Sequence, residues 1–297
     1  MQVLSGKVAV VTGASRGLGR AIAALFAREG AKVVLAARSL EDIEQNVADL
    51  RAAGLEADAF PCDVSDPVQV EALAHFAIQT YGGFDIWVNN AGTAGPYGAT
   101  PDLTADQFLG VQRTNLFGTY HGSTIAMRHF LVRKSGKLIN ILGAGARGPV
   151  ANQNAYGSTK AWIRVFTLAL AREYKDSGVG VHALQPGLTD TNLLTEVVTF
   201  EPYEKRLRGF MPFLIRAAGK KPEIPARKVL WLASSATDGK TGLEIRASSS
   251  LTFLFGFLRE GLRQSFHRPA RNVEMKIKIL PSAFQPLPGA DSKDRIK

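Results

Sequence analysis

Tyr156 and Lys160 stand four residues apart, at the end of a glycine-rich stretch that begins at Asn140. If this segment is helical, both side chains leave the same face, one turn apart. An ammonium group beside a phenol lowers the pKa of the phenol, because the opposite charge favours the phenolate. The pair therefore indicates a proton donor or acceptor tuned towards neutral pH. The spacing is weak evidence alone, so the surrounding elements must decide.

A second candidate site lies near the start of the chain. Residues 8–11 form a short apolar run that predicts a buried parallel strand. The turn Thr12-Gly13-Ala14-Ser15-Arg16-Gly17-Leu18-Gly19 follows, and residues 20–29 then predict a helix that ends at Gly30. Glycines let the backbone approach a pyrophosphate, and the N-terminus of the helix supplies free N–H groups. This segment is therefore predicted to bind phosphate.

The end of the second predicted strand indicates which nucleotide is bound. Residues 32–36 are again a buried apolar run, and Ala37, Arg38 and Ser39 follow it. An acidic residue here would hydrogen-bond a ribose 2′-hydroxyl and repel a 2′-phosphate. The chain has no carboxylate at this point, whereas Arg16 and Arg38 can grip a phosphate bidentately. The sequence favours NADP(H) over NAD(H), although Arg38 as a plain surface arginine is the alternative.

The remaining elements alternate between strands and helices. Apolar runs predict strands at 57–61, 86–88, 137–142, 180–184 and about 242–245. Helical patterns cover the segment opened by Ser65, Asp66 and Pro67, and also 104–131, 155–174 and 226–234. Ser39 and Asp42 suggest a capping box for the helix after the second strand. This alternation predicts an α/β fold, a Rossmann-type doubly wound parallel sheet of about seven strands in a single domain.

Composition and charge exclude several classes of function. The only cysteine is Cys62, and the five histidines show no metal-ligand spacing, so we expect neither a disulfide framework nor a metal site. The chain begins without a secretory signal, which favours a cytoplasmic protein. Residues 1–200 hold 17 Lys/Arg and 17 Asp/Glu, whereas 201–297 hold 19 and 9, so the net charge of +10 belongs to the last third. No nucleic-acid motif accompanies this surplus.

Taken in chain order, these motifs resemble the short-chain dehydrogenase/reductase family over about residues 5–246. The matching pieces are Thr12-Gly13-x-x-x-Gly17-x-Gly19, Asp63, Asn89-Asn90-Ala91-Gly92, Asn115, Tyr156-x-x-x-Lys160, and Pro186-Gly187 with Thr189. The resemblance implies a nicotinamide coenzyme bound by Gly13, Ser15, Arg16, Gly17, Leu18, Gly19, Arg38, Asp63, Val64, Asn90, Ala91, Gly92, Tyr156, Lys160, Pro186, Gly187 and Thr189. Among these, it implies that Asp63 and Val64 meet the adenine and that Asn90 supports the ribose side.

The same resemblance implies the catalytic roles. Tyr156 would be the general acid for carbonyl reduction, or the base in the reverse direction. Lys160 would bind the nicotinamide ribose and depress the pKa of the tyrosine, and Asn115 would hold a water of the proton relay. For Asn115 the alternative is an amide that only packs between helices.

One position departs from the family pattern. The family usually has a serine 13 residues before the tyrosine, and this chain has Gly143 there. That serine donates a hydrogen bond to the substrate oxygen, and losing one such donor typically costs ~10²–10³ in rate. Ser158 would face away from Tyr156 on a helix. The candidate replacements are the side chains of Asn152, Gln153 and Asn154, or the backbone N–H groups of residues 143–145.

Residues 190–225 are expected to form a substrate lid. They include Leu193 and Leu194 and are rich in apolar and aromatic residues, which favours a hydrophobic or aromatic substrate. Packing of these residues as ordinary core is the alternative. With Gly143 and Gln153, Leu193 and Leu194 are the predicted substrate contacts.

The last 50 residues depart from the family ending. We divide the chain into an NADP-binding domain, residues 1–246, and a divergent basic extension, residues 247–297. The apolar run at 251–258 could pack on the core, join a subunit interface or lie on a membrane through 251–270, in that order. Residues 281–297 read as a flexible end. The family resemblance implies a homodimer or homotetramer.

These observations predict an NADP(H)-dependent short-chain dehydrogenase/reductase, a carbonyl reductase that interconverts a ketone and an alcohol. Tyr156 would move the proton in either direction. Two alternatives stay open. Gly143 favours a non-catalytic NADP-binding sensor or interaction protein, and the same scaffold could also run a cofactor-dependent isomerisation or dehydration.

Overall fold

A computed structural model describes residues 2–248, 250–266 and 269–286 of the chain. Its main feature is a seven-stranded parallel sheet in the order β3-β2-β1-β4-β5-β6-β8. The strands, with two that lie outside this sheet, are β1 Val8–Thr12, β2 Lys32–Ala37, β3 Ala57–Pro61, β4 Ile86–Asn89, β5 Gly136–Ile141, β6 Val179–Gln185, β7 Glu196–Phe200, β8 Glu244–Arg246 and β9 Lys276–Leu280. All seven predicted strands are in this sheet, which confirms the doubly wound fold.

Ten α-helices lie within the described residues. They are α1 Gly17–Arg28, α2 Leu40–Ala52, α3 Pro67–Tyr81, α4 Ala105–Gln112, α5 Gly118–Arg133, α6 Asn154–Glu173, α7 Asn192–Thr195, α8 Glu201–Ala218, α9 Glu223–Ala233 and α10 Ser250–Ser265. Apolar side chains cover both faces of the sheet. Val33, Leu35 and Phe26 belong to the core on one face, and Val34, Trp87 and Phe130 to the core on the other. A strand buried on both faces reads as a continuous apolar run, which is why the strands could be predicted.

The order of the strands brings the predicted site together. β1, β4, β5 and β6 are neighbours and parallel, so the loops that follow them leave the same edge of the sheet. These loops carry the glycine turn, Asn90, Gly143 and Pro186. Ligands of open α/β sheets bind at this edge, at the point where the strand order reverses. The reversal lies here between β1 and β4.

Two local predictions about helices differ from the structure. Residue Ser39 does precede α2, but its side chain makes no capping hydrogen bond, so the predicted capping box with Asp42 is wrong. The single helix predicted over 104–131 is divided into α4 and α5 by a π-helical segment, Arg113–Phe117. A π-turn adds one residue to a helical turn and so interrupts the regular hydrogen-bond pattern. The spacing of apolar residues does not reveal such an insertion, so the sequence predicted one continuous helix.

The C-terminal extension folds onto the lid. β9 pairs in parallel with β7, from Glu196 against Lys276 to Phe200 against Leu280. α10 packs against α8, where the rings of Phe213 and Phe257 lie 5.6 Å apart. The predicted flexible end is wrong for its first residues, because the backbone N–H of Ala283 donates to the carbonyl of Asp102 at 2.9 Å. Residues 287–297 lie outside the described part.

Candidate active site

Tyr156 and Lys160 both point from the first turns of α6 into the protein. Both are buried, with 8% and 5% of their surface exposed. The Nζ atom of Lys160 lies 5.6 Å from the centre of the Tyr156 ring and donates a hydrogen bond to the carbonyl of Ile141 at 3.1 Å. The helical spacing therefore places the two side chains together, as the sequence predicted.

Burial governs the pKa values of this pair. It raises the pKa of Tyr156 to about 12 and lowers the pKa of Lys160 to about 8. We expected the ammonium to depress the pKa of the phenol, and that expectation is wrong for this geometry. The cause is burial, which removes water from both groups and so disfavours the charged form of each.

Gly143 is in direct contact with the tyrosine. A Cβ atom added at Gly143 would lie 2.1 Å from the hydroxyl oxygen of Tyr156 and 2.9 Å from its Cζ. The Tyr156 ring thus occupies the space that a side chain at position 143 would need. Gly145, at φ +97°, packs as closely, since its added Cβ would lie 2.3 Å from the Cα of Gly157. The loop after β5 is glycine-rich because its backbone lies directly against α6.

The candidate hydrogen-bond donors for a substrate oxygen differ in whether they already have an acceptor in the protein. The hydroxyl of Ser158 bonds to its own helix, at the carbonyl of Ala155. The amide of Asn152 donates to Tyr97 and that of Asn154 to Thr100, at 3.3 and 3.2 Å. Two kinds of donor remain without an acceptor among the described residues, namely the side chain of Gln153 and the backbone N–H groups of residues 143–145.

Asn115 lies in the π-helical segment and is fully buried. Its side-chain carbonyl accepts from the N–H of Thr93 at 2.8 Å. Its amide donates to the carbonyl of Thr93 at 2.9 Å and to the hydroxyl of Thr159 at 3.2 Å. The side chain therefore fixes the loop after β4 against α6, and the water-holding role implied by the family stays a prediction.

The glycine turn closes tightly over the end of β4. Gly13 has φ +65°, and a Cβ there would lie 2.7 Å from the Cα of Ala91. A Cβ on Gly19 would lie 2.2 Å from the carbonyl oxygen of Gly13. The amide of Asn90 donates to the carbonyls of Thr12 and Gly13 at 3.0 and 3.2 Å. Asn90 thus supports the glycine turn, whereas a ribose contact was expected.

Two residues that support this turn were not predicted. Asn46 on α2 is buried and donates to the carbonyls of Ala14 and Ser15, at 3.3 and 2.8 Å. The hydroxyl of Thr12 accepts from the N–H groups of Asn90 and Ala91, at 3.1 and 3.2 Å. A polar residue on the core face of α2 was the available signal for Asn46. For Thr12, the only sequence signal was its position in the glycine-rich motif.

The N-terminus of α1 offers donors to an anion. The helix begins at Gly17, no side chain caps it, and its first turn holds no acidic residue. Unpaired N–H groups and the positive end of the helix dipole favour a phosphate at this position. Gly17 has φ +58°, and a Cβ there would lie 3.2 Å from the methyl group of Thr191, so glycine suits this position. The turn therefore has the donors and the backbone conformation of a phosphate-binding cradle.

The two arginines predicted to bind a 2′-phosphate differ in their surroundings. Arg38 follows β2, is exposed, and has no ion pair among the described residues. Arg16 is paired with Glu196 of the lid, with Nη1 and Oε2 2.7 Å apart. No sequence pattern predicted that Glu196 of β7 would lie beside Arg16.

The other predicted coenzyme contacts lie along the same edge. Asp63 follows β3 and accepts from the N–H and hydroxyl of Ser65 at 2.9 and 2.8 Å. Val64 beside it is buried. A Cβ on Gly92 would lie 3.7 Å from the Nζ of Lys160, so the loop after β4 reaches the tyrosine–lysine pair.

The loop after β6 carries Pro186, Gly187 and Thr189. Thr189 is buried and forms an isolated bridge with Lys220. A Cβ on Gly187 would lie 2.3 Å from the hydroxyl of Ser248, a residue of the extension. That hydroxyl is buried and has no partner within the described residues. The extension therefore touches the predicted nicotinamide loop, which sequence reasoning did not anticipate.

The predicted lid residues Leu193 and Leu194 lie on the short helix α7. Leu193 is 42% exposed and Leu194 is partly exposed. β7 then returns towards the loop after β4, where the N–H of Tyr97 donates to the carbonyl of Val198 at 2.8 Å. The lid is thus held at one end through β7, and Leu193 and Leu194 stay exposed or partly exposed.

Together these features fit a nicotinamide coenzyme. The cradle formed by Gly13, Gly17 and Gly19 would hold its pyrophosphate, and Lys160 and Tyr156 lie where its nicotinamide end would reach. The coenzyme would supply or accept the hydride. The fit rests on the uncapped N-terminus of α1 and on the two buried, ionisable side chains of Tyr156 and Lys160.

Comparisons with known proteins agree with this site. The sequence model of the family described as short chain dehydrogenase matches residues 7–202. The chain is 35% identical over 258 residues to 3beta-hydroxysteroid dehydrogenase 1 of Eggerthella lenta, covering 86% of this chain and 97% of that one.

Two solved structures are similar. The 3-ketoacyl-(acyl-carrier-protein) reductase from Brucella melitensis, complexed with NADH, shares 28% identity with a TM-score of 0.71, over 82% of this chain and 97% of that chain. Actinorhodin polyketide ketoreductase with NADPH shares 29% identity with a TM-score of 0.75, over 83% and 97%. With the tyrosine–lysine pair on α6 and the glycine cradle on α1, these matches show that the chain belongs to the short-chain dehydrogenase/reductase family of ketone/alcohol oxidoreductases.

Proposed function

We propose that this protein uses NADP(H) to interconvert a ketone and an alcohol on a hydrophobic small molecule. The observation that carries the proposal is the contact between Tyr156 and the loop at Gly143. The phenol hydroxyl lies against a loop in which the backbone N–H groups of residues 143–145 have no acceptor among the described residues. The site thus offers a proton donor and nearby hydrogen-bond donors, the groups that carbonyl reduction requires.

In the reducing direction, the Tyr156 hydroxyl gives its proton to the substrate oxygen as the carbon receives hydride. The N–H groups of residues 143–145, with the amide of Gln153, hold the charge that develops on that oxygen. These donors replace the hydroxyl that Gly143 lacks. Lys160 would bind the ribose of the nicotinamide, as the family resemblance implies. In the oxidising direction the same groups act in reverse order.

Preference for NADP(H) is supported by the end of β2. Arg38 is exposed and has no acidic partner in the described part of the chain, so its guanidinium can take a phosphate. No carboxylate lies in the residues 36–38 that would repel one. Arg16 adds a second guanidinium once Glu196 releases it. Related structures carry NADH in one case and NADPH in another, so titration of both coenzymes is the test.

A hydrophobic substrate is supported by the lid and by the relatives. Leu193 and Leu194 are exposed or partly exposed on α7, and such side chains stabilise a complex by covering apolar ligand surface. The names of the relatives given above refer to ketoacyl and steroid substrates.

We also propose that the protein lies in the cytoplasm, in keeping with its one cysteine, Cys62, which is buried.

A panel of ketones tests the function. Acyl, aromatic and steroid ketones would each be mixed with protein and NADPH, and oxidation of the coenzyme followed by its absorbance. We expect turnover of at least one ketone, and Tyr156→Phe should lower the rate by ~10² or more while coenzyme still binds. Tyr174→Phe, at the far end of α6, is the matched control and should retain activity.

Gly143 also favours a second candidate, an NADP-binding sensor without catalysis. Its lack of a hydroxyl removes one donor to the substrate oxygen. This function would be supported if NADPH bound tightly while no ketone or alcohol of the panel reacted, and if Tyr156→Phe changed nothing that could be measured.

A further inference from the structure

One face of α10 carries an apolar stripe that nothing in the described structure covers. Leu254, Phe255, Leu258, Leu262 and Phe266 are 54%, 66%, 54%, 59% and 69% exposed. At about 100° per residue, the five positions fall within about 120° of the helix circumference. Phe266 directly follows the last helical residue. This is a continuous stripe of leucine and phenylalanine facing away from the protein.

The opposite face of α10 explains why the stripe is left outside. A Cβ on Gly256 would lie 1.9 Å from the carbonyl oxygen of Ala217, so the helix backbone lies directly on α8. Glu260 is buried between Arg216 and Arg263, with oxygen–nitrogen distances of 2.6 and 2.8 Å. These contacts fix the rotation of α10 about its axis. The apolar run at 251–258 was expected first to pack on the core, and only one face of α10 packs against the protein.

The charge around the stripe is positive. Residues 246–280 hold seven Lys or Arg and two Glu, which gives this segment a net charge of +5. Arg259 lies at the border of the stripe, is exposed, and its guanidinium contacts only the carbonyl of Arg216 among described atoms. Arg246 and Lys278 are also exposed and have no acidic partner in the described residues.

We propose that α10 docks onto an anionic phospholipid surface. An amphipathic helix with apolar side chains on one face and basic residues at its border binds in the interface of a bilayer, through buried apolar area and attraction to anionic lipids. A symmetric pairing of two copies through the stripe would instead bring two segments of the same positive charge together, which is unfavourable. Charge therefore favours the lipid surface over a second copy.

Docking of this kind acts at the surface only. Within the described residues, no helix is long and apolar enough to cross a membrane. Because α10 rests on α8, the bilayer would lie against the lid side of the molecule. The inference does not require the proposed activity, since the stripe and its charge are independent of Tyr156.

Cosedimentation of the full chain with vesicles tests the proposal. Vesicles of phosphatidylcholine alone would be compared with vesicles of phosphatidylcholine mixed with phosphatidylserine, at low and high salt. We expect binding to the anionic vesicles that weakens as salt rises. The double variant Phe255→Ser, Leu258→Ser should bind the anionic vesicles with an affinity at least about ten-fold lower. Arg259→Gln should lose part of the binding that is sensitive to salt.

Val68→Ser is the matched control, since Val68 on α3 is 71% exposed and lies on another element. It should bind vesicles as the unchanged protein does. Equal binding by the double variant, or no binding to anionic vesicles, would overturn the proposal. So would light scattering that shows the unchanged protein to be a dimer and the double variant a monomer, because the stripe would then be a subunit interface.

Discussion

Glu196 on the first strand of the lid forms an ion pair with Arg16 in the glycine turn, with 2.7 Å between Oε2 and Nη1. Asn192 and Lys276 also contact this carboxylate, at 2.8 and 3.9 Å, and these partners lower the pKa of Glu196, the Asn192 hydrogen bond most. The pair ties the lid to the predicted phosphate site. A 2′-phosphate that binds Arg16 must compete with Glu196 for the same guanidinium.

Glu196→Gln should therefore tighten NADPH binding. Exposed ion pairs contribute ~0–1 kcal/mol, so we expect a gain of about two- to five-fold in affinity. NADH, which lacks the 2′-phosphate, should bind as before. Fluorescence titration of both coenzymes measures the difference. Glu201→Gln removes the same charge from an exposed neighbour on α8 and should change neither affinity; an equal gain for NADH would contradict the competition.

Gly143→Ser should destabilise the protein, even though the family resemblance implies a serine at this position. Its Cβ would lie 2.1 Å from the Tyr156 hydroxyl, so the buried tyrosine must move. Overpacking of this kind costs about 1–3 kcal/mol, and turnover should fall as Tyr156 leaves its position. Urea denaturation and the rate on the best ketone measure both effects.

Gly148→Ser provides the comparison for that variant, because nothing lies within 4 Å of a Cβ added there. It should change the free energy of unfolding by no more than about 0.5 kcal/mol. If Gly143→Ser instead raised activity at unchanged stability, Tyr156 would not be confined by the loop.

His182 should make the folded protein sensitive to acid. It lies on β6, is fully buried, and neither ring nitrogen has a partner among the described groups. Burial, with Lys137 nearby, lowers its pKa from 6.5 to about 4. The unfolded chain therefore takes up a proton first as pH falls, and stability declines between about pH 6.5 and 4, by up to about 3 kcal/mol.

His182→Leu should remove this part of the pH dependence, and should not lower stability at pH 7, because two unpaired nitrogens disappear. Urea denaturation at pH 7 and pH 5 gives the slope. His75→Leu, at an exposed position of α3, controls for the loss of a histidine. A decline that is unchanged in His182→Leu would show that other groups cause it.

Self-association is expected through α5 and α6. Phe117, Tyr120 and Val165 are 47%, 46% and 63% exposed, and the rings of Tyr120 and Phe166 lie 6.2 Å apart, which joins the two helices into one apolar surface. Val165→Glu would bury a charge in such an interface and should convert a dimer or tetramer to smaller species in light scattering. Val68→Glu should leave the mass unchanged; a monomeric parent protein would refute the expectation.

The features that the sequence predicted correctly are those that depend on the local pattern of residues. Five strands of the main sheet, β1, β2, β4, β5 and β6, are mostly buried runs rich in apolar residues, and Tyr156 and Lys160 meet because helical spacing requires it. The π-helical turn at Asn115 and the pair of Asn46 with the glycine turn depend on tertiary packing, which periodicity does not report. At Ser39 the sequence pattern predicted a feature that the structure lacks, since the residues of a capping box are present but the Ser39 side chain makes no capping hydrogen bond.

The pairing of β7 with β9 sets the order in which the lid can form. Glu196 lies opposite Lys276, about 80 residues further along the chain. During synthesis the chain emerges from its N-terminus, so the nucleotide-binding half can fold while β7 still lacks its partner. The lid strand gains that partner only after residues 276–280 have been made. Pairing of the lid strand therefore comes later in synthesis than the sheet that carries the glycine turn.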